Sequence, residues 1–449
     1  MGATEPNILL AALIEEAGVS RAGLAAHINR AGRSRGLRLR YEHTAVARWL
    51  KGQRPRGQVP DLICEVLGNR LSRPLVLDDI GMAAPGTAPA VPASSLTGFV
   101  ERATALWHSD EGRRPHAPVP AAVTGTAAVM PVWEWENPPE DTDVSRGGPV
   151  RVCMADIVTL RAARAHYELM YRRAGGIATR SRVVGFLNAE TAPLLRGGYT
   201  DAMGRRLHRA AGGLVAVAGI CAYDSDAHGL AQRYFHQALR LAKASGDRGF
   251  GGYVIALLVN QSLLLADYRQ SVAFAQAALR AAGGHISPAL AADLYAMQAK
   301  AYARLGDPGG ARECIRRAES EAGRIRPGHE PDETGYVQPG LVDVQVAEAL
   351  LGIGDLAGAR EHAAQAVRIP AHDRGRVHRL AVLTHVELRQ GEADRAAATA
   401  EEMAERARGM ESRRLRERLR AVREELVASG CADAGRAADL IDGALRVPL

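Results

Sequence analysis

One pattern constrains this chain more than any other: a turn, then a small side chain five positions later, repeated five times between Asp226 and Met403. The segments are "DAHGLAQRYFHQA" from Asp226, "ADYRQSVAFAQAA" from Ala266, "GDPGGARECIRRA" from Gly306, "GDLAGAREHAAQA" from Gly354 and "GEADRAAATAEEM" from Gly391. The small residues are Ala231, Ser271, Ala311, Ala359 and Ala396, separated by 40, 40, 48 and 37 positions. Seven residues before each turn stand Gly219, Val259, Ala299, Ala347 and Thr384. Limited size on both sides of a turn is what two helices need where they cross closely. The pattern therefore predicts helical hairpins that stack neighbour on neighbour into a curved array. The glycines of "GIGDLAGAR", residues 352–360, belong to that turn; their GxGxxxG spacing follows no strand and does not make a phosphate-binding loop. Composition agrees. Aromatic residues are only 4% of a chain that is 47% hydrophobic, so the cores rest on Ala, Leu and Val, which suit close helix packing better than sheets.

The repeats resemble tetratricopeptide repeats. The A-x3-F-x2-A signature is intact at Ala231, Phe235 and Ala238, and weakened at Ala311, Ile315, Ala318 and at Ala359, Ala363, Ala366. The spacings exceed the standard repeat length, which implies longer helices or an irregular superhelix. Such arrays leave a concave face lined by the first helix of each hairpin. Counting from the turns places Tyr223, Tyr253, Asn260, Asp293, Lys300, Arg304, Glu348, His378 and His385 on that face. It is a candidate site for a peptide, a small molecule or a protein ligand, Asn260 being suited to an extended backbone. The competing reading gives the same side chains to solvent or to contacts between helices. His378 and His385 have no carboxylate at metal spacing, so no metal is assigned, and no cofactor is expected. Beyond the repeats, "ESRRLRERLRAVREELVASG" carries Leu415, Leu419, Val422 and Leu426 at helical intervals, as a solenoid cap or a dimer contact. "ADLIDGALRVPL" reads as a final docking helix.

The first eighty residues differ in kind. Ile8, Leu9, Ala12 and Leu13 have helical spacing up to Gly18, and Ser20 reads as the N-cap of a second helix that buries Leu24, Ala25 and Ile28. An arginine-rich connection, "RAGRSRGLRLR", leads to a third helix over Thr44 to Lys51, closed by Gly52. Pro55 and Pro60 bracket the loop to a fourth, with Leu62, Ile63, Val66 and Leu67. From Arg21 to Arg56 ten Arg or Lys stand against one acid, Glu42; that is +9 in a chain of net +7, leaving −2 for the rest. Basicity so concentrated suits a polyanionic partner. The segments "EEAGVSRAGLAAHI" and "HTAVARWLKGQRP" resemble the Xre/Cro-like helix-turn-helix family. The resemblance implies that Val46 and Trp49 are core residues and that Tyr41, His43, Thr44, Ala45 and Arg48 lie on or beside the groove-facing side. It also implies that Arg40, Lys51, Arg54 and Arg56 meet phosphates of double-stranded DNA. The connection between the second and third helices departs from the family by being several residues longer than its tight turn.

The expected fold is thus all-α: an N-terminal helix-turn-helix domain plus a C-terminal tetratricopeptide-like α-solenoid. The helix-turn-helix domain takes residues 1–82 and the repeat domain, with its capping helices, residues 151–449. Between them, 83–150 reads as a Pro/Ala-rich linker with one helix in "LTGFVERATALWH", where Phe99, Ala103 and Leu106 form a stripe. The proline, glycine and acidic residues of 109–150 predict disorder, or an extended arm where Trp133 and Trp135 alternate with acids. Cys64, Cys153, Cys221, Cys314 and Cys431 are scattered without a CxxC, which suggests neither disulfides nor zinc. The N-terminus lacks a basic stretch before its apolar run, and the longest apolar run, "GGLVAVAGICAY", falls short of a membrane span. The expected setting is the cytoplasm, with no membrane partner. No nucleophile–base arrangement, acid dyad or metal cluster stands out, so no enzyme is expected.

The two-part layout, and in particular "APLLRGGYTDAMGRRLHRAAGGLVAVAGICAYDSDAHGLAQRYFHQALRLAKASGD", resembles actinobacterial regulators of antibiotic production and sporulation. More distantly it is similar to the peptide-pheromone receptors of Gram-positive bacteria. The resemblance implies a homodimeric, DNA-binding transcription regulator of differentiation or secondary metabolism. The competing expectation is an interaction scaffold whose array recruits a protein partner and whose basic head is vestigial.

Overall fold

The structure, a computed structural model, describes residues 6–34, 37–71, 75, 77, 79–82, 96–112, 120–410, 412–430 and 433–446. Every regular element among them is helical, and extended backbone pairs only as isolated bridges, Arg146 with Tyr199 and Arg151 with Gly198. The chain divides into two units, Met1–Ser109 and Asp110–Leu449. No helix among the described residues is long and apolar enough to cross a membrane.

In the first unit, helices α1 (Ile8–Glu16), α2 (Arg21–Ser34), α3 (His43–Leu50) and α4 (Val59–Arg70) surround one core containing Leu10, Leu24, Ile28, Val46, Trp49 and Leu62. Ser20 caps α2 as expected, its Oγ accepting from Gly23 N at 3.0 Å. Gly52, at φ +92°, closes α3 in the left-handed region. Asn7 does more than cap α1 (Oδ1 accepts from Leu10 N at 2.9 Å). Its Nδ2 donates to Ile80 O at 2.8 Å and its backbone N–H to Leu50 O at 2.9 Å, so one residue ties the start of α1 to the end of α3 and to the chain beyond α4. The helix expected in "LTGFVERATALWH" is α5 (Leu96–Glu111). Its buried apolar residues are Phe99, Val100, Ala103 and Trp107, whereas Leu106 is half-buried. The Pro/Ala run at 83–95 lies outside the described residues.

The second unit opens with α6 (Thr126–Glu136), α7 (Met154–Ala174), α8 (Gly176–Phe186), a π-helical turn at Leu187–Thr191 and the short α9 (Ala192–Leu195). Six hairpins follow: α10 (Asp201–Asp224) with α11 (His228–Ser245), α12 (Arg248–Leu264) with α13 (Tyr268–Ala282), α14 (Pro288–Arg304) with α15 (Pro308–Ala322), α16 (Leu341–Gly352) with α17 (Leu356–Arg368), α18 (Asp373–Arg389) with α19 (Ala393–Ala407), and α20 (Arg413–Ser429) with α21 (Ala434–Leu445). The five turn residues all have positive φ: Asp226 at 62°, Ala266 at 59°, Gly306 at 75°, Gly354 at 81° and Gly391 at 79°. The five small residues after them, and the five before them, are all buried. At Gly219 the reason is direct, since an added Cβ would fall 2.6 Å from Phe235 Cε1. The longer offset between the third and fourth turns is a loop insertion that holds the 3-10 turn Asp332–Tyr336. α20 buries Leu415, Leu419, Val422 and Leu426 against its own chain, in a cluster shared with α18, α19 and α21, and so caps the array.

The expectation of disorder for 109–150 is corrected where those residues are described. α6 packs on α11 and α13, and Trp135 is buried so closely over Gly251 that a Cβ there would lie 2.2 Å from its Nε1. The acids that suggested a solvated segment have partners in the repeats. Glu136 pairs with Arg280 at 2.9 Å, Asp141 takes both guanidinium nitrogens of Arg240 at 2.7 and 2.8 Å, and Glu140 pairs with Arg248. Upstream, Gln232 bonds the backbone of Val123 in both directions, at 2.8 and 3.0 Å. Trp133, in contrast, remains exposed.

Candidate functional site

Two places in the molecule gather polar side chains that the packing alone does not require. The first lies inside the solenoid. The array curves until its ends meet at Asp224, the last residue of α10, which has no exposed surface. Its carboxylate accepts from Gly176 N at 2.8 Å, from the Ser412 hydroxyl at 2.8 Å and from the Arg374 guanidinium, reaching residues 48, 188 and 150 positions away. A buried carboxylate is tolerated only with such donors around it. Arg374 stands in the first turn of α18, and Ser412 caps α20 by accepting from Leu415 N at 3.1 Å.

Behind this clasp is a cavity of about 260 Å³. The first helices contribute Tyr223 from α10, Tyr253, Leu257 and Asn260 from α12, Asp293, Met297 and Lys300 from α14, and Gln345 from α16. α7 adds Glu168, Tyr171 and Arg172; the inserted loop adds Tyr336; His372, Arg374 and His378 come from α18 and its N-cap; α20 closes the wall with Arg414 and Arg418. Five fixed cations (Arg172, Lys300, Arg374, Arg414 and Arg418) thus meet four carboxylates, those of Glu168, Asp224, Asp293 and Glu348. Burial alone would raise the Glu348 carboxyl, but Lys300, at 2.6 Å, and Arg418, at 3.8 Å, outweigh it and hold it below its ordinary range. Asp293 goes the other way. Burial pushes it up even though the Tyr336 hydroxyl and the Gln345 amide donate to it at 2.5 and 2.6 Å. The guanidinium of Arg414 lies 4.7 Å over the Tyr223 ring and, among the described residues, is in ion-pair contact with no carboxylate, its charge reaching Glu348 at longer range. His372 is pushed down by burial and by Arg172 and Arg374, which suits its role: Nδ1 faces the Gly375 N–H at 3.1 Å as an acceptor and caps α18.

Of the positions expected on the concave face, Tyr223, Tyr253, Asn260, Asp293, Lys300 and His378 are brought together around this cavity. Glu348 stands beside them through Lys300. Two do not join. Arg304 is exposed one turn beyond Lys300, and His385 bonds Glu425 at 2.8 Å. Their register is that of the first helices, but the cavity does not extend along the whole face. Counting from the turns missed Tyr171, Arg172, Tyr336, Arg414 and Arg418, because α7, the loop and α20 have no place in the repeat, and it missed Arg374, which stands at the start of α18, far from its turn. The four-residue spacing of Arg414 and Arg418 on one helix was the signal that could have marked that wall.

The second place is the basic edge of the first unit. Val46 and Trp49 are buried, as expected, and Tyr41 is half-buried with its ring edge-to-face on Trp49 at 5.2 Å. Ala45 is corrected: it is 3% exposed and belongs to the core, because the close packing of α3 on α2 takes the small side chain inside. His43, Thr44 and Arg48 are exposed along α3, and Arg40, Lys51, Arg54 and Arg56 are exposed around it. Among the described residues none of these five cations has a carboxylate partner. The long connection into α3 is held at its end by Asn29, whose side chain donates to Tyr41 O at 2.8 Å and accepts from Tyr41 N at 2.9 Å. Nothing in the repeat or charge pattern singled out Asn29.

Residues 10–83 match the family described as the SP15 N-terminal domain. The match runs from within α1 through α4, and so concerns the first unit alone. No curated protein matches the chain.

Proposed function

We propose that the chain is a sequence-specific, double-stranded-DNA-binding transcription regulator of bacterial differentiation or secondary metabolism. Its helical array pairs two copies and senses a ligand. The observation that carries this reading is the cationic edge of the first unit, where Arg40, Arg48, Lys51, Arg54 and Arg56 stand exposed without carboxylates around a short helix pinned by Trp49. Charges left unpaired on one rigid edge serve phosphates, and the exposed His43, Thr44 and Arg48 of α3 supply the few groups that read base edges.

Pairing is supported by α7. Met154, Val158, Ala162, Ala165 and Leu169 are exposed, at steps of four, four, three and four, and Val158 and Leu169 are 60% and 49% exposed. An apolar strip at those steps suits a helix–helix seam between two copies related by a twofold axis. A ligand in the cavity acts by binding one arrangement of the pair better than another.

Duplex titration by fluorescence anisotropy at several salt concentrations tests the first claim. The parent chain should bind with steep salt dependence and prefer some sequences. Thr44→Ala with Arg48→Ala should remove the preference and flatten the salt slope by about one. Equal affinity of the parent for every sequence contradicts the claim. Sedimentation tests the seam: Val158→Asp with Leu169→Glu should yield a monomer, and an unchanged dimer contradicts pairing through α7. The long connection over 35–42 favours one rival, a scaffold whose head no longer binds DNA. A stoichiometric protein partner, with transcription unchanged after deletion of the head, would select it.

A further inference from the structure

The size of the cavity limits what it can hold. The Asp224 clasp and α20 reach across one end of the concave face and interrupt the groove that an extended peptide would follow there. About 260 Å³ is just under the range of roughly 300–1,000 Å³ that takes drug-sized ligands, and fits on the order of a dozen non-hydrogen atoms. The walls contributed by Tyr171, Tyr223, Tyr253, Leu257 and Met297 suit an apolar body. One end is cationic: Lys300 and Arg418 share the single carboxylate of Glu348, and Arg414, which feels that carboxylate only at longer range, has none in ion-pair contact among the described residues. A guanidinium in that position is suited to a planar carboxylate. The other end offers an acceptor. Gln345 is 7% exposed, its Nε2 donates to Asp293, and its buried Oε1 has no protein partner among the described residues. A buried acceptor left unserved is costly. Asp293 and Lys300 are seven residues apart on α14, which separates the two ends by about 10 Å.

Resting on the reading of the array as a sensor, we propose that this cavity binds a small organic acid. It would have an apolar, aromatic-sized body, a carboxylate directed to Arg414 and Arg418, and a hydroxyl or N–H directed to Gln345 Oε1.

The probe is 3-(4-hydroxyphenyl)propionate, titrated calorimetrically into the full chain beside its primary amide and 3-phenylpropionate. The hydroxy acid should bind at least ten times more tightly than the amide. Arg414→Gln should abolish that difference, while Gln345→Leu should abolish the preference over 3-phenylpropionate and leave the acid-over-amide difference in place. Equal affinity for acid and amide overturns the proposal, as does the failure of all three compounds to bind. Saturable binding of an extended hexapeptide in their place overturns it too, in favour of a peptide site. Duplex binding is measured separately on the same preparation. A failed titration with DNA binding intact refutes the acid alone; a successful titration without DNA binding refutes the regulator alone.

Discussion

At the scale of single residues, the turns show how backbone conformation was shared out along the repeats. Three of the five left-handed turn positions are glycine, which enters that region without a Cβ penalty, and two are Asp226 and Ala266. Alanine has neither glycine's freedom nor a polar side chain to bond locally. Ala266→Gly is therefore expected to stabilise the chain by about 1 kcal/mol, and Gly354→Ala to destabilise it by a similar amount, in urea denaturation. A lower midpoint for Ala266→Gly would contradict the strain. His208 makes a second residue-scale prediction. Burial lowers its pKa to about 4, against a weaker opposing pull from the backbone of Gly204, and its ring packs edge-on to Tyr199 at 5.8 Å. Between its unfolded value near 6.5 and about 4, the unfolded chain takes up a proton that the folded chain refuses. The contribution is complete above pH 6.5 and falls by about 1.4 kcal/mol per unit as the medium is acidified through that window. Stability of His208→Phe measured from pH 7.5 to 5 should decline less steeply than that of the parent; parallel curves would refute the assignment.

At the scale of elements, what was legible depended on whether a segment's partners share its local pattern. The hairpins were legible because close crossings demand small side chains at fixed distances from a turn, and Ala231 to Ala396 all sit in such crossings. The core of α3 was legible through Val46 and Trp49; Ala45 was not, since an alanine carries no mark of which side it faces. α6 escaped because its stabilising groups lie far away in sequence: Gly251 makes room for Trp135, and Arg240, Arg248 and Arg280 answer its acids and those of the chain beyond it. Composition reads charges as solvated unless the opposing charges can be seen. Gly251→Ala should accordingly cost about 1–3 kcal/mol through overpacking and raise amide exchange within residues 126–136. Unchanged exchange there would mean that α6 does not depend on the Trp135 contact. The cavity was half legible for the same reason, six concave-face residues following from register and the walls of α7 and α20 following from closure alone.

At the scale of the whole molecule, the closure of the second unit rests on one carboxylate serving three distant donors. Asp224→Asn leaves Arg374, largely buried, without its counter-charge, and is expected to lower the stability of that unit by about 3–5 kcal/mol. Asp224→Asn with Arg374→Met should recover part of the loss, and the pair should be strongly non-additive in denaturation. Additive losses would show that the clasp is not a unit. The reading of the chain as a regulator depends finally on the first unit recognising particular DNA. The most direct measurement is sequencing of the duplexes that the full-length chain retains from a random-sequence pool at near-physiological salt. The account predicts enrichment of one short motif, lost when Thr44 and Arg48 are both alanine; retention of duplexes without enrichment of any sequence would contradict it.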